Sequence, residues 1–368
     1  VAVKCGDIVG FMEEFAPTRL AEDWDNVGLM VGSYDDDVNK IMVCLDVTPQ
    51  VIEVAESNSV NMIISHHPLI FKGLKRINRQ DFKGRMIMDL IKKGINVYSA
   101  HTNLDVTDGG VNEQLAHVLG LKYLKNLKHY RTERLLKLVV FVPKDSADKV
   151  REVLGKAGAG WIGNYSDCTF NTEGIGTFRP LDGTKPYIGS KGNLEKVEEC
   201  RVETVVSERI IDKVVSAMIR AHPYEEVAYD IYPLELSGKK YGLGYVGEID
   251  CATSLDNLAE IVKSKLKTPK VRVIGNLEKE VKKVAVYCGS FGNEIIGAVK
   301  SKADVLVTGD VKYHDASDMM QMGMCVIDAG HFSTEKIIVP RLVEVLKERF
   351  KNLEILSDNV EVDPFKYI

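Results

Sequence analysis

Residues 40–68 read KIMVCLDVTPQVIEVAESNSVNMIISHHP, and this stretch decides the fold. Lys40 to Leu45 is an apolar, β-branched run of strand length, and Val60 to Ile64 is a second. Between them Thr48 is placed as an N-cap and Pro49 as the first helical residue, where a missing N–H costs nothing, so Gln50 to Glu56 is predicted helical. Strand, helix and strand make a βαβ unit. Another follows through the helix Phe82 to Lys93, the strand Ile95 to Ala100 and the helix Val111 to Leu119.

The same rhythm returns late in the chain. Strands at Val284 to Tyr287, Val305 to Val307 and Met324 to Ala329 alternate with helices at Asn293 to Ser301, His314 to Gln321 and Ser333 to Phe350. The middle differs: strand Leu135 to Val142, helix Ala147 to Ala157, strands Tyr165 to Asn171 and Val197 to Val206, helix Glu208 to Ala221, strand Val227 to Tyr232. That βαββαβ order is ferredoxin-like. The predicted fold class is therefore α/β, with two related α/β lobes at residues 1–127 and 237–368 and an inserted ferredoxin-like domain at 128–236. A length of 368 residues, beyond what one core usually organises, agrees with more than one domain. The glycine-rich stretch from Gly174 to Gly192 has neither P-loop nor dinucleotide spacing, and reads as a hairpin loop.

Composition excludes several classes. The formal charge is −5, with basic and acidic residues interleaved and no stripe of the kind that tracks a phosphate backbone, so nucleic acid is not an expected partner. The seven cysteines lack a C-x-x-C pair and several fall in apolar runs, which predicts reduced, buried thiols. The apolar runs are short and no signal-peptide order opens the sequence, so no membrane association is expected and the predicted location is cytoplasmic.

Three distant segments carry chemistry: Ser65-His66-His67-Pro68, His101-Thr102-Asn103-Leu104-Asp105 and Gly330-His331-Phe332-Ser333-Thr334-Glu335. Each follows a predicted strand, so the side chains should gather at one sheet edge, where α/β sheets bind ligands. Neighbours on a strand point to opposite faces, so His66 and His67 can share a cavity only if the strand ends there, and Pro68 favours that ending. His331 and Glu335 are four apart on a predicted helix and share a face. Singly, each segment has an ordinary explanation: a surface histidine pair, a chance helical spacing, an aspartate capping the next helix. Their coincidence at strand exits points to metal. Imidazoles and carboxylates suit zinc, iron, manganese or nickel, and the lack of cysteine among them argues against a closed structural zinc site.

Together with Trp24-Asp25-Asn26-Val27-Gly28-Leu29 and Thr308-Gly309-Asp310-Val311-Lys312-Tyr313-His314, these segments make the chain resemble the Nif-three-like family, also known as GTP cyclohydrolase I type 2 homologues, over essentially its whole length. No ligand position departs from the family pattern. The insert, marked by His222-Pro223-Tyr224-Glu225-Glu226, resembles a PII-like or CutA-like module of the longer bacterial members. The resemblance implies two divalent metal ions per chain, with His67 and Asp105 on one, His66 and His331 on the other and Glu335 bridging. It implies a hydrolase in which the ions, about 3.5–4 Å apart, make a hydroxide nucleophile from a bridging water. In the cyclohydrolase reading the hydroxide attacks carbon 8 of a guanine nucleotide. His101 and His314 are candidate proton-transfer residues, with Asp25 and Asn26 beside them. The resemblance also implies a toroidal homohexamer. The alternative is a protein that binds, delivers or senses metal without turnover. His222 to Glu226 also contains metal-preferring types, though Pro223 makes a helix stop there the plainer explanation.

Overall fold

The computed structural model describes residues 2–360 and 363–366. It divides into two compact units, one of Val1–Tyr130 with Tyr241–Ile368 and one of Arg131–Lys240. The fold is mixed α/β with several sheets.

In the first unit a five-stranded sheet runs in the order Glu354–Ser357, Lys40–Cys44, Met62–Ser65, Asn96–Ser99, Gly28–Val31. The first four are parallel and Gly28–Val31 is antiparallel to its neighbour. Thr48 caps the helix Pro49–Ser57 by accepting from the Val51 amide at 3.2 Å, as its sequence position predicts. The helix Phe82–Lys93 is capped by Asp81 and ends at Gly94, which supplies the left-handed turn at φ 63°. Every residue of Met62–Ser65 and Asn96–Ser99 is buried, as expected of parallel strands covered on both faces.

The second sheet of this unit is ordered Arg272–Ile274, Cys325–Asp328, Val305–Gly309, Glu280–Ser290, followed by residues 245–254. Val305–Gly309 is parallel to both its neighbours. One apolar core draws Ile41, Ile64 and Tyr98 from the early segment and Val284, Val305, Ile327 and Leu342 from the late one. Burying each such side chain contributes about 1.5–3 kcal/mol, so neither α/β half has a complete core alone. The C-terminal strand Glu354–Ser357 pairing beside Lys40–Cys44 ties them further.

The helix expected over Ser333 to Phe350 is in fact two, His331–Glu335 and Ile338–Arg349. Pro340 explains the break: its ring has no N–H and would collide with the carbonyl four residues back, at Lys336, so a helix can only begin just before it. The break frees His331–Glu335 to take its own direction.

In the second unit the strands lie in the order 229–240, 131–143, Glu195–Ser207, Thr169–Phe178. Leu138, Val140 and Val142 alternate inward and, with Val202 and Val206, pack under Val150 and Leu154 of helix Ala147–Ala157 and Val214 and Met218 of helix Ile211–Ala221. Gly174 and Gly176 lie within the strand Thr169–Phe178 and not in the expected loop, which is confined to residues 179–194. That strand is mostly exposed and has little apolar alternation, so its ends were not visible in sequence.

Candidate metal centre

The strand Met62–Ser65 stops one residue before His66, as Pro68 suggested. The His66 and His67 amides still donate to the neighbouring segment, to Cys44 O at 3.2 Å and Leu45 O at 2.8 Å, while both rings turn into one cluster. His101 follows Asn96–Ser99, and Asp105 lies in the short helix Thr102–Val106 and does not cap the next helix. His331 and Glu335 occupy the separate turn after Cys325–Asp328. The candidate ligands therefore converge from the carboxyl ends of two different sheets, not from one sheet edge as expected. Local periodicity reports strands, not which sheet they join.

Each imidazole is held through Nδ1. His66 Nδ1 is 2.9 Å from the Ala100 carbonyl, His67 Nδ1 is 2.9 Å from Asp46 Oδ1, His101 Nδ1 is 2.8 Å from Asp25 Oδ1, and His331 Nδ1 is 2.9 Å from Asp310 Oδ2. An oxygen behind each ring fixes its tautomer and leaves Nε2 to face the cluster, the arrangement found behind metal-binding histidines. His67 Nε2 and His331 Nε2 both reach Glu335 Oε2, at 2.8 and 2.9 Å, and lie 3.2 Å from each other. His66 Nε2 is buried and makes no hydrogen bond; the nearest carboxylate oxygens are Asp105 Oδ1 at 3.6 Å and Glu335 Oε2 at 3.8 Å.

The electrostatics of the cluster favour positive charge at its centre. Burial pulls the His67 pKa down, but hydrogen bonds to Asp46 and Glu335 outweigh it and lift it to about 10. Burial likewise opposes, and Glu335 and Asp310 raise, His331 to about 9. Burial would raise Glu335, yet the imidazoles of His331, His66 and His67 beside it hold it well below the usual carboxylate range. Two imidazole Nε2 atoms thus share one carboxylate oxygen, a place that one divalent ion would fill with neutral ligands. An orphaned buried Nε2, oriented rings and buried carboxylates fit a divalent transition metal.

Donor atoms within 4.8 Å of one another form three sets: His67, His331 and Glu335; His66, Asp105 and Glu335; and His66, His67 and His101. Proximity thus groups His67 with His331 and His66 with Asp105, unlike the division carried over from the resemblance. His101 joins the cluster and Asp25 braces it. For Asp25, burial raises the pKa but hydrogen bonds from His101 and Thr102 prevail and hold it at about 2. Asn26 turns away, its amide donating to Ile70 O. His314 is exposed on helix Tyr313–Gln321, against the ring of Tyr313, and belongs to none of the three sets.

Asp46 and Cys288 were missed in sequence. Asp46 sits just beyond the strand Lys40–Cys44, so the strand-exit rule covers it, but a single aspartate carries no spacing. Cys288, inside Glu280–Ser290, is buried with Sγ 3.3 Å from Asp105 Oδ1. Glycine makes room here: a Cβ on Gly289 would stand 2.0 Å from Glu335 Oε1. Two cavities open on the cluster. One of about 730 Å³ is lined by Asp46, His67, His331, Lys270, Arg272 and Lys366. The other, of about 560 Å³, is lined by Trp24, His101, Asp105, Tyr287, Cys288 and Glu335. No helix among the described residues is long and apolar enough to cross a membrane.

A family model described as Duf34/NIF3 (NGG1p interacting factor 3) matches residues 3–364. A protein of Halalkalibacterium halodurans named GTP cyclohydrolase 1 type 2 homolog is 44% identical over 365 residues, covering 98% of both chains. A protein of the same name from Bacillus subtilis is 44% identical over 372 residues, covering 100% of this chain and 99% of the relative. The crystal structure of a Bacillus cereus protein related to NIF3 is 42% identical, with a TM-score of 0.88 and full coverage of both chains.

Proposed function

The chain belongs to the Duf34/NIF3 family, and we propose that it is a metal-dependent hydrolase working at a dinuclear divalent centre. The observation that carries this reading is the convergence of four imidazole Nε2 edges on Asp105 and Glu335, with His66 Nε2 buried and unpartnered. The proximities favour His67 and His331 on one ion, His66 and Asp105 on the other, and Glu335 between them, in place of the division implied by the resemblance. Bound ions would supply Lewis acidity and an activated water at neutral pH.

The chain's own residues supply orientation and proton transfer. Asp46, Asp310 and Asp25 fix the rings of His67, His331 and His101. His101, on the cavity beside Trp24, is placed to move a proton, whereas His314 lies outside the proposal because it is exposed and outside the cluster. Bound ions, with Lys270 and Lys366 on a larger cavity that Asp46, Asp310, Asp328 and Asp363 also line, would suit an anionic substrate, and the names of the relatives point to a guanine nucleotide. In the same proposal the second unit is a ferredoxin-like insert, supported by its strand order, with division near residues 128–236. A homohexamer and a cytoplasmic location complete it, the latter supported by seven free thiols.

A second reading, metal delivery without turnover, is favoured by the 33% exposure of the His331 side chain, which gives an ion a way out. Loading the full chain with zinc, iron(II), manganese or nickel, measuring bound metal, and screening nucleotides and phosphoesters separates the two. Turnover that disappears in Glu335→Ala is expected. Tight, exchangeable metal with no turnover on any substrate would overturn the hydrolase.

A further inference from the structure

The segment His222-Pro223-Tyr224-Glu225-Glu226 is not used by the metal cluster, and within the second unit its Tyr224, Glu225 and Glu226 line a separate cavity of about 300 Å³, about the lower size of small-ligand sites. His222 ends the helix Ile211–Ala221 and spends both ring nitrogens locally, Nε2 donating to Phe141 O at 3.0 Å and Nδ1 accepting from the Tyr224 amide at 3.1 Å. It pins the turn that aims Tyr224 into the cavity. Around that ring stand Phe178, at 5.8 Å edge-on, and Tyr187, at 6.2 Å.

Tyr224 donates its hydroxyl to Glu199 Oε1 at 3.0 Å, and burial together with that carboxylate keeps the phenol protonated. The other Glu199 oxygen lies over Gly176, where any Cβ would stand 2.0 Å from it, so the carboxylate occupies its place only because residue 176 has no side chain. Glu225 and Glu226 complete the lining, Glu225 also accepting from the Lys185 amide at 2.8 Å. Arg179 is the one basic side chain of the lining, and its guanidinium is turned to the Gly192 carbonyl.

We propose that this cavity binds a small organic cation, an ammonium or guanidinium on an apolar body, with the aromatic rings around the body and Glu199, Glu225 and Glu226 about the charge. Ring faces attract cations through their quadrupole, and desolvation strengthens that attraction. The surplus of carboxylates over the single engaged guanidinium disfavours an anion, and a neutral ligand would leave their negative charge unmatched.

The test is calorimetric titration of the full chain with phenethylammonium, against phenethyl alcohol and phenylacetate as neutral and anionic counterparts of the same ring. Saturable binding of the ammonium is expected, with the counterparts weaker by about tenfold or more, and with affinity reduced in Glu199→Gln and Glu226→Gln. Glu226 is exposed, so its variant decides the matter if Glu199→Gln fails to fold. Absence of saturation, equal binding of phenylacetate, or wild-type affinity in the folded variants would overturn the proposal. Neither probe nor variant touches the metal cluster, so failure here leaves the hydrolase proposal standing.

Discussion

At the scale of single residues, the cluster depends on groups behind the candidate ligands. A histidine whose Nδ1 is unheld can rotate or take the other tautomer, and its Nε2 is then no longer aimed. Asp46 isolates this effect, because its side chain is 49% exposed and it bonds the His67 ring without joining the inner cluster. Asp46→Asn should lower metal affinity by about 10–100-fold, measured by competition with a chromogenic chelator, while the folded spectrum is kept. Unchanged affinity would show that the ring is held by Glu335 alone. The candidate ligands themselves were legible because each stands at the exit of a recognisable strand. Asp46 and Cys288 were not: an isolated acid after a strand, or a thiol inside one, looks the same in sequence whether or not it faces a site.

Among elements, the site is made by close backbone approach where strands end. Gly309 closes the strand Val305–Gly309, and a Cβ there would lie 2.6 Å from the Gly289 carbonyl oxygen and 2.7 Å from the His331 amide nitrogen. Both are main chain and cannot swing aside. Gly309→Ala should therefore cost about 1–3 kcal/mol in urea unfolding and displace His331, with bound metal falling in parallel. Gly297, with nothing within 4 Å of its would-be Cβ, is the control. On helix Ile296–Lys302, Gly297→Ala should stabilise by about 0.5–1 kcal/mol. Equal effects at the two positions would refute the packing argument. Element types were largely readable, since capping residues and apolar periods are local signals. The break before Pro340 was not read, although the proline is its local signal. That two sheets present their carboxyl ends to one another was not, because sheet partnership depends on contacts far apart in the chain.

For the molecule as a whole, the two units should respond to different perturbations. A ligand that binds only the folded state stabilises by mass action, about 2.7 kcal/mol at a hundredfold excess over its dissociation constant. Chelation should therefore reduce hydrogen-exchange protection in peptides from residues 2–130 and 241–360, where every candidate ligand lies, and leave 131–240 unchanged. Acid should act on the other unit through His222. Burial, against smaller opposing effects of the Phe141 carbonyl and Glu199, lowers its pKa below 6.5, and a proton on Nδ1 would face the Tyr224 amide that this nitrogen now accepts from. The neutral form is favoured in the fold, so its contribution is complete above the ordinary histidine pKa and is lost as pH falls below it. The second unit should lose up to about 1.4 kcal/mol per pH unit in that range. Exchange of metal-free protein between about pH 8 and pH 5, corrected for intrinsic rates, checks this. Loss of protection confined to 2–130 and 241–360 on acidification would mean that His222 does not control the second unit, and uniform loss on chelation would mean that the metal stabilises both.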